Sequence, residues 1–354
     1  MAITYHSGRR IQATQADFDG TPAVSGGWKE VGRTTLGSTG DDIDVIELDD
    51  KRYYMLLNSA TTTGSNWAGF KMGNGSIDSG SNYARRLSRN GVADATGVSL
   101  TNIGVDSSSF TDSIFGVSYI ANLSANEKLF LSHQNYADVG ASVAPNRVEG
   151  TGKYAYTSNP IDQIRCYNGH PSGSWLTGSE LVVLGWDPSD THTSNFWEEL
   201  ASVDLSGGAA DTLSSGTITA KKYLWVQLYV ESSGVTAVGL QFNGDTSTNY
   251  ANRQSLNGAA DGTSASDTMS FIGSISHTVN KFHNIFIVNN SANEKLSISN
   301  GMSLTTAGAG TAPQRREAVS KWANTSAQIT SIVVNNVGAG DMGTGTLMKV
   351  WGSD

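Results

Sequence analysis

Short runs of alternating apolar and polar residues recur along the whole chain, the mark of half-buried β-strands. In the first half these runs are IDVIEL (43–48), YYMLLN (53–58), FGVSYIANL (115–123), EKLFLS (127–132), IDQIRCYN (161–168) and LVVLGW (181–186). The second half offers TITAKKYLWVQLYV (217–230), VGLQFN (238–243), FIGSISHTV (271–279), FHNIFIVNN (282–290), EKLSIS (294–299), ITSIVVNN (329–336) and TLMKVW (346–351). Gly, Asn, Asp and Ser clusters bound them, and no stretch carries a helical stripe with a period near 3.6. The pattern predicts an all-β chain with seven or eight strands per half, folded as antiparallel β-sandwiches of jelly-roll type. Ile43, Val45, Leu56, Val226, Leu228, Ile332 and Val334 belong to the set expected to face inward.

The halves are copies of each other. SANEKL stands at 124–129 and again at 291–296, an offset of 167. Asn82-Tyr83-Ala84 matches Asn249-Tyr250-Ala251 at the same offset, while Ala144-Pro145 matches Ala312-Pro313 and Lys153-Tyr154 matches Lys321-Trp322 at 168. Trp28-Lys29-Glu30 pairs with Trp197-Glu198-Glu199, and each copy closes on an apolar strand ending in Trp186 or Trp351. Anchors in one order at nearly constant spacing imply a duplication. The organisation expected is an arm over 1–27, a first repeat over 28–187, a linker over 188–195 and a second repeat over 196–354.

Composition narrows the function. Of 354 residues only 16% are charged, 40 are Gly, and the net charge is −9, so no basic face is available to displace counterions from a nucleic acid. The single cysteine, Cys166, permits no intramolecular disulfide and reads as a small buried hydrophobe. The opening MAITYHSGRRIQ lacks the apolar stretch of a secretory signal, and no window is long and apolar enough for a membrane span.

Catalytic motifs are not evident. The six histidines include no pair at i,i+2 or i,i+4, and neither a G-x-S-x-G elbow nor a phosphate-binding loop occurs. The carboxylates among residues 41–50 alternate with Ile43, Val45, Ile46 and Leu48, which reads as the solvated face of an outer strand rather than a glycosidase pair. No enzyme and no cofactor are expected; calcium on Asn243 and Asp245 is the one metal alternative, against ordinary turn chemistry. Trp67 and Trp175 stand in polar loops with no match in the second copy and are the candidates for exposed ligand contact, since an indole face stacks on a pyranose. Tyr83 and Tyr250 follow similar loops, GNGSIDSGSNY and NGDTSTNY, which mark either a repeated binding site or the same corner built twice.

The phrase LQFNGDTSTNY (240–250), the block APQRREAVSKWANTSAQITSIVVNN…GTGTLMKVWG (312–352) and the opening AITYHSGRRIQ (2–12) resemble a class of tailed-phage virion proteins, particularly of marine phages. The resemblance implies a place on the virion surface. It implies a tail-fibre or tail-tip component contacting host surface glycans or, alternatively, a capsid decoration protein. Partners would be other virion proteins and further copies of the chain, with no nucleic acid and no membrane insertion. In this reading Ile3, Tyr5, Arg9, Arg10 and Ile11 anchor the arm to another virion protein as an added strand.

Overall fold

The structure, a computed structural model, describes residues 24–25, 27–104, 112–192, 194–304 and 309–354. The arm residues Ile3, Tyr5, Arg9, Arg10 and Ile11 lie outside the described residues. The described residues form strands, turns and bends and no helix.

In chain order the strands begin with β1 (Val24–Ser25), β2 (Lys29–Thr35), β3 (Asp42–Val45), β4 (Tyr53–Ala60), β5 (Ala68–Gly73), β6 (Tyr83–Arg89) and β7 (Ala95–Leu100). Then come β8 (Ile103–Gly104), β9 (Ile114–Ala121), β10 (Lys128–Tyr136), β11 (Asn146–Tyr154), β12 (Gln163–Asn168), β13 (Glu180–Trp186) and β14 (Thr191–His192). The second repeat comprises β15 (Glu198–Asp204), β16 (Thr212–Ser214), β17 (Tyr223–Val230), β18 (Thr236–Phe242), β19 (Tyr250–Leu256) and β20 (Gly262–Asp267). It ends with β21 (Ser270–His277), β22 (Lys281–Val288), β23 (Lys295–Ser303), β24 (Gln314–Trp322), β25 (Ile332–Asn336) and β26 (Leu347–Ser353).

Strand pairing defines two jelly rolls. A jelly roll folds eight strands so that first pairs with eighth, second with seventh, third with sixth and fourth with fifth. The first repeat does this with β2–β13, β3–β12, β4–β9 and β5–β8, all antiparallel. The second does it with β15–β26, β16–β25, β17–β22 and β18–β21. In each repeat two extra hairpins, β6–β7 with β10–β11 and β19–β20 with β23–β24, widen one sheet to eight strands against a four-stranded partner. These extensions correct the expected count of seven or eight to twelve strands per repeat. The long run 217–230 also shortens to Tyr223–Val230.

The sheets of each repeat sandwich their own core, and all seven residues expected to face inward lie in it. Cys166, on β12 between Ile43 and Phe70, is fully buried, and desolvation pushes its thiol well above the ordinary range. Asp42 and Asp44 point the other way, to Arg165 at 2.8 and 2.6 Å, as an outer strand face does.

A third apolar cluster lies between the repeats. Met55, Leu57, Phe115 and Val182 of the first large sheet meet Tyr223, Phe286, Leu296 and Ile298 of the second. The layers therefore run four, eight, eight and four strands, with the large sheets face to face. Several polar groups inside this contact are bonded across it. Asn135 donates to the carbonyls of Ser297 and Ser320 at 2.9 and 2.8 Å, and Lys321 donates to Ala137 O at 2.8 Å. Glu180 takes Tyr223 Oη at 2.8 Å and Lys222 Nζ at 3.0 Å. Burial works to raise the Glu180 carboxyl, but Thr35, Lys222 and Tyr223 outweigh it and hold the group below its usual value.

Candidate functional site

The tyrosine loops are corners. Tyr83 Oη takes the Met72 amide at 3.0 Å and donates to the carbonyls of Met72 and Asp78; Tyr250 Oη takes the Phe242 amide at 3.0 Å and donates to Asp245 O at 3.1 Å. Each corner is closed by a carboxylate. Asp78 accepts from Asn82 and from the Tyr154 hydroxyl at 2.8 and 2.9 Å; Asp245 accepts from Asn249 and from the Trp322 indole at 2.8 and 2.7 Å. Burial opposes ionisation of both, yet these donors hold both carboxyls below their ordinary range. Asn74 and Asn243 brace the same loops on Pro160 O and Gln328 O, and Gly75 and Gly244 follow them at φ +71° and +69°, where a Cβ is strained.

Of the two alternatives open for these loops, the contacts are those of corners and turns. Tyr83 and Tyr250 have almost no exposed surface, so they offer nothing to a ligand. Asn243 and Asp245 spend their oxygens on neighbouring N–H groups, as turn residues do. Among the described residues no group of three or more His, Cys, Asp or Glu is placed to hold a metal.

Trp175 is corrected. Its ring is fully buried in the first core, and its backbone bridges Gly40 and Thr62. Met342 makes the same bridge to Ala210 and Ser232, so the position does have a counterpart, filled by a different apolar side chain. Trp67 is half-buried. Its ring lies edge-on to Tyr167 at 5.6 Å and covers Gly169, where an added Cβ would come within 2.1 Å of it. The closing tryptophans differ in register as well. Trp186 pairs with Tyr53, whereas Trp351 pairs with Trp225, so the two sit two residues apart on the same face.

The structure instead brings chemistry together between the repeats, where a cleft of about 870 Å³ opens beside the apolar contact. Its first wall carries Arg86, Asp94, Tyr119, His133 and Glu149, and its second carries Phe286, Asn300, Arg315 and Glu317. The walls are related by the duplication. Glu149 and His133 face each other in register on β11 and β10, and Glu317 and Asn300 do so on β24 and β23. Arg147 and Arg315 precede the glutamates by two residues and pair with them, both at 2.7 Å.

Electrostatics separate the two walls. Arg147 is buried and also holds Asp261 of the second repeat at 2.6 Å, while Arg315 is largely exposed. Burial works against the Arg147 charge, and Asp261 and Glu149 overcome it. Burial, reinforced by the Glu149 charge, raises the Glu317 carboxyl above its usual value. His133, with Nε2 3.9 Å from Glu149, is pushed down to about 4 by desolvation and stays neutral. The cleft is thus a polar slot with three arginines, Arg86, Arg147 and Arg315, carboxylate acceptors and the rings of Tyr119 and Phe286, suited to a hydroxyl-rich ligand. Sequence reasoning missed it, although the repeated Arg-x-Glu in NRVE (146–149) and QRRE (314–317) was a usable signal.

No protein-family model and no curated protein matches the chain. Among solved structures, domains LG4-5 of the mouse laminin α1 chain are similar at 11% identity over 93% of this chain and 91% of that one, with a TM-score of 0.19. The fold therefore rests on the strand pairing itself, which defines tandem duplicated β-sandwiches of jelly-roll type.

Proposed function

We propose that the chain is a non-catalytic structural protein of a phage particle surface, a tail-fibre or tail-tip component that contacts host surface glycans. The observation that carries this reading is where the polar side chains go. Asp78, Asp245, Tyr83, Tyr250, Asn135 and Lys321 all serve the chain's own corners and its inter-repeat contact, as a rigid scaffold requires. The motif that resembles phage virion proteins, LQFNGDTSTNY, is the corner built on Asp245 and Tyr250, so the resemblance concerns the scaffold rather than a ligand. With Trp175, Tyr83 and Tyr250 enclosed, the glycan contact falls to the cleft, where Arg86, Asp94 and Arg315 present paired donors and acceptors to hydroxyl groups.

Antibody–gold labelling of intact particles tests this. Label on the tail is the expected result. Label spread over the head would replace the tail assignment with capsid decoration, and no label on any particle would overturn the virion reading.

A further inference from the structure

The contact between the repeats uses unequal halves of equivalent faces. On the first repeat a row runs across four neighbouring strands, Glu180–Ser59–Phe115–Asn135, and all four residues are buried, Glu180, Phe115 and Asn135 directly against the second repeat. The register places Leu347–Tyr229–Phe282–Met302 in the same row of the second repeat. That row is open: its members are 38%, 40%, 40% and 39% exposed. It is also the more apolar of the two, with Leu347, Tyr229 and Met302 where the buried row has Glu180, Ser59 and Asn135. A solvated face ordinarily shows the reverse.

The opposite halves show the converse. Leu296 and Ile298 of β23 are 0% and 1% exposed in the inter-repeat cluster, whereas their counterparts on β10, Leu129 and Leu131, are 57% and 56% exposed. Had the repeats packed reciprocally, the Phe282 row would cover Leu129 and Leu131 just as the Phe115 row covers Leu296 and Ile298. One of the two contacts is made. Each chain therefore keeps one open copy of each half.

We propose that a second copy of this chain fills them: the Leu347–Tyr229–Phe282–Met302 row of one copy docks on the Leu129–Leu131 face of the next, repeating the geometry already present within the chain. Such a contact is heterologous. It joins copies head to tail and closes into a ring, or extends, according to the rotation it imposes. It does not depend on a virion location.

The test is the mass of the full-length chain in solution against concentration, by light scattering, for the wild type, Leu129→Asp and Phe282→Asp. Both positions are exposed, so each variant should unfold at the wild-type temperature. The wild type is expected to exceed the mass of one chain as concentration rises, and each variant to remain a single chain. An equimolar mixture of the variants should recover a two-chain species, because Leu129→Asp keeps the open row and Phe282→Asp keeps the leucine face. A wild type that stays a single chain at its highest soluble concentration would overturn the proposal. So would an oligomer indifferent to either substitution, or a mixture that remains single chains.

Discussion

The two repeats solve the same packing problem with different residues. In the first, the row Asn58–Gly116–Gln134 crosses the large sheet, and a Cβ at Gly116 would come within 2.2 Å of Asn58 and 2.6 Å of Gln134. In the second, the same row reads Leu228–His283–Gly301, and a Cβ at Gly301 would meet His283 at 2.5 Å. The glycine has changed strands because same-face neighbours stand only about 5 Å apart, so a large side chain in such a row needs a small neighbour. Yet one polar tie is built the same way in both. Asn122 binds Ile161 N at 2.7 Å and reaches Ile161 O and Lys51 O; Asn289 binds Ile329 N at 2.5 Å and reaches Ile329 O and Lys221 O. Apolar volume can be redistributed among neighbours, whereas a buried backbone group needs a partner at one fixed place.

The largest effects should therefore be equal in the two repeats. Asn122→Ala and Asn289→Ala each take the side-chain partner from a buried amide and from two carbonyls, of which Ile161 O alone keeps a second one in Tyr54 Oη at 3.3 Å. Each should cost about 4 kcal/mol and lower the unfolding temperature of its repeat by roughly 10 °C, read by calorimetry. A large loss in one repeat alone would break the equivalence of the frameworks.

The next effect should be unequal. Leu296→Ala empties part of the inter-repeat cluster and should cost about 3 kcal/mol, while Leu129→Ala, at the matching exposed position, should change the stability of a single chain by less than about 0.5 kcal/mol. Urea unfolding of the two variants reads the difference directly. Similar losses would mean that the faces are used alike.

Acid should weaken both repeats through their unmatched histidines. Desolvation holds His133 near 4 and His283 near 3, aided at His283 by the Lys281 and Arg316 charges, while an unfolded chain binds the proton near 6.5. These folded values are depressed, so the unfolded state binds more protons below about pH 6.5. Stability is then lost as pH falls from there toward the folded values, by roughly 2 kcal/mol per histidine at pH 5. His133→Asn, which installs the residue of the second repeat, should remove its share of that loss in urea midpoints at pH 7 and pH 5. An unchanged slope would show that His133 is not held neutral.

The smallest effect concerns SANEKL. Lys128 turns back to Leu123 O and Asn126 O at 2.9 and 2.8 Å, and Lys295 does the same to Ser291 O and Asn293 O, adding Asn324 O at 2.7 Å. Replacement of either by Met should cost about 1 kcal/mol, with Lys295 the dearer by its extra bond. Equal unfolding temperatures for the two variants would remove that distinction.

The sandwich was legible because its inner strands alternate cleanly: Ile43 and Val45, Val226 and Leu228, Ile332 and Val334 all lie in the cores. The duplication was legible because Asn82-Tyr83 and Asn249-Tyr250 build the same corner, and Lys128 and Lys295 in SANEKL turn back to the same kind of carbonyl. Of the widening strands, β10 and β23 were legible in EKLFLS and EKLSIS, and the others were not. YARRLSR buries only Tyr83 and Leu87, and NRVEGTGKY buries Asn146, Arg147 and Val148 in succession, so neither β6 nor β11 shows the clean alternation that announces a strand. The cleft was hidden for a related reason. Glu149 and Glu317 are far apart in sequence, and the docking that brings them together leaves no local period. Trp175 misled because its loop is polar while its ring is core, and Met342 gave no hint that it fills the same place.

The claim underlying all of this is that equivalent faces of the two repeats are covered on one side and open on the other. Paired cysteine labelling tests it most directly, since the native Cys166 is fully buried. Leu129→Cys and Leu296→Cys should be compared as single chains in native buffer. Cys at 129 should react with a thiol reagent nearly as fast as in the unfolded chain, and Cys at 296 should be protected by orders of magnitude. Equal, fast labelling at both positions would mean that the repeats do not dock, and would contradict that claim.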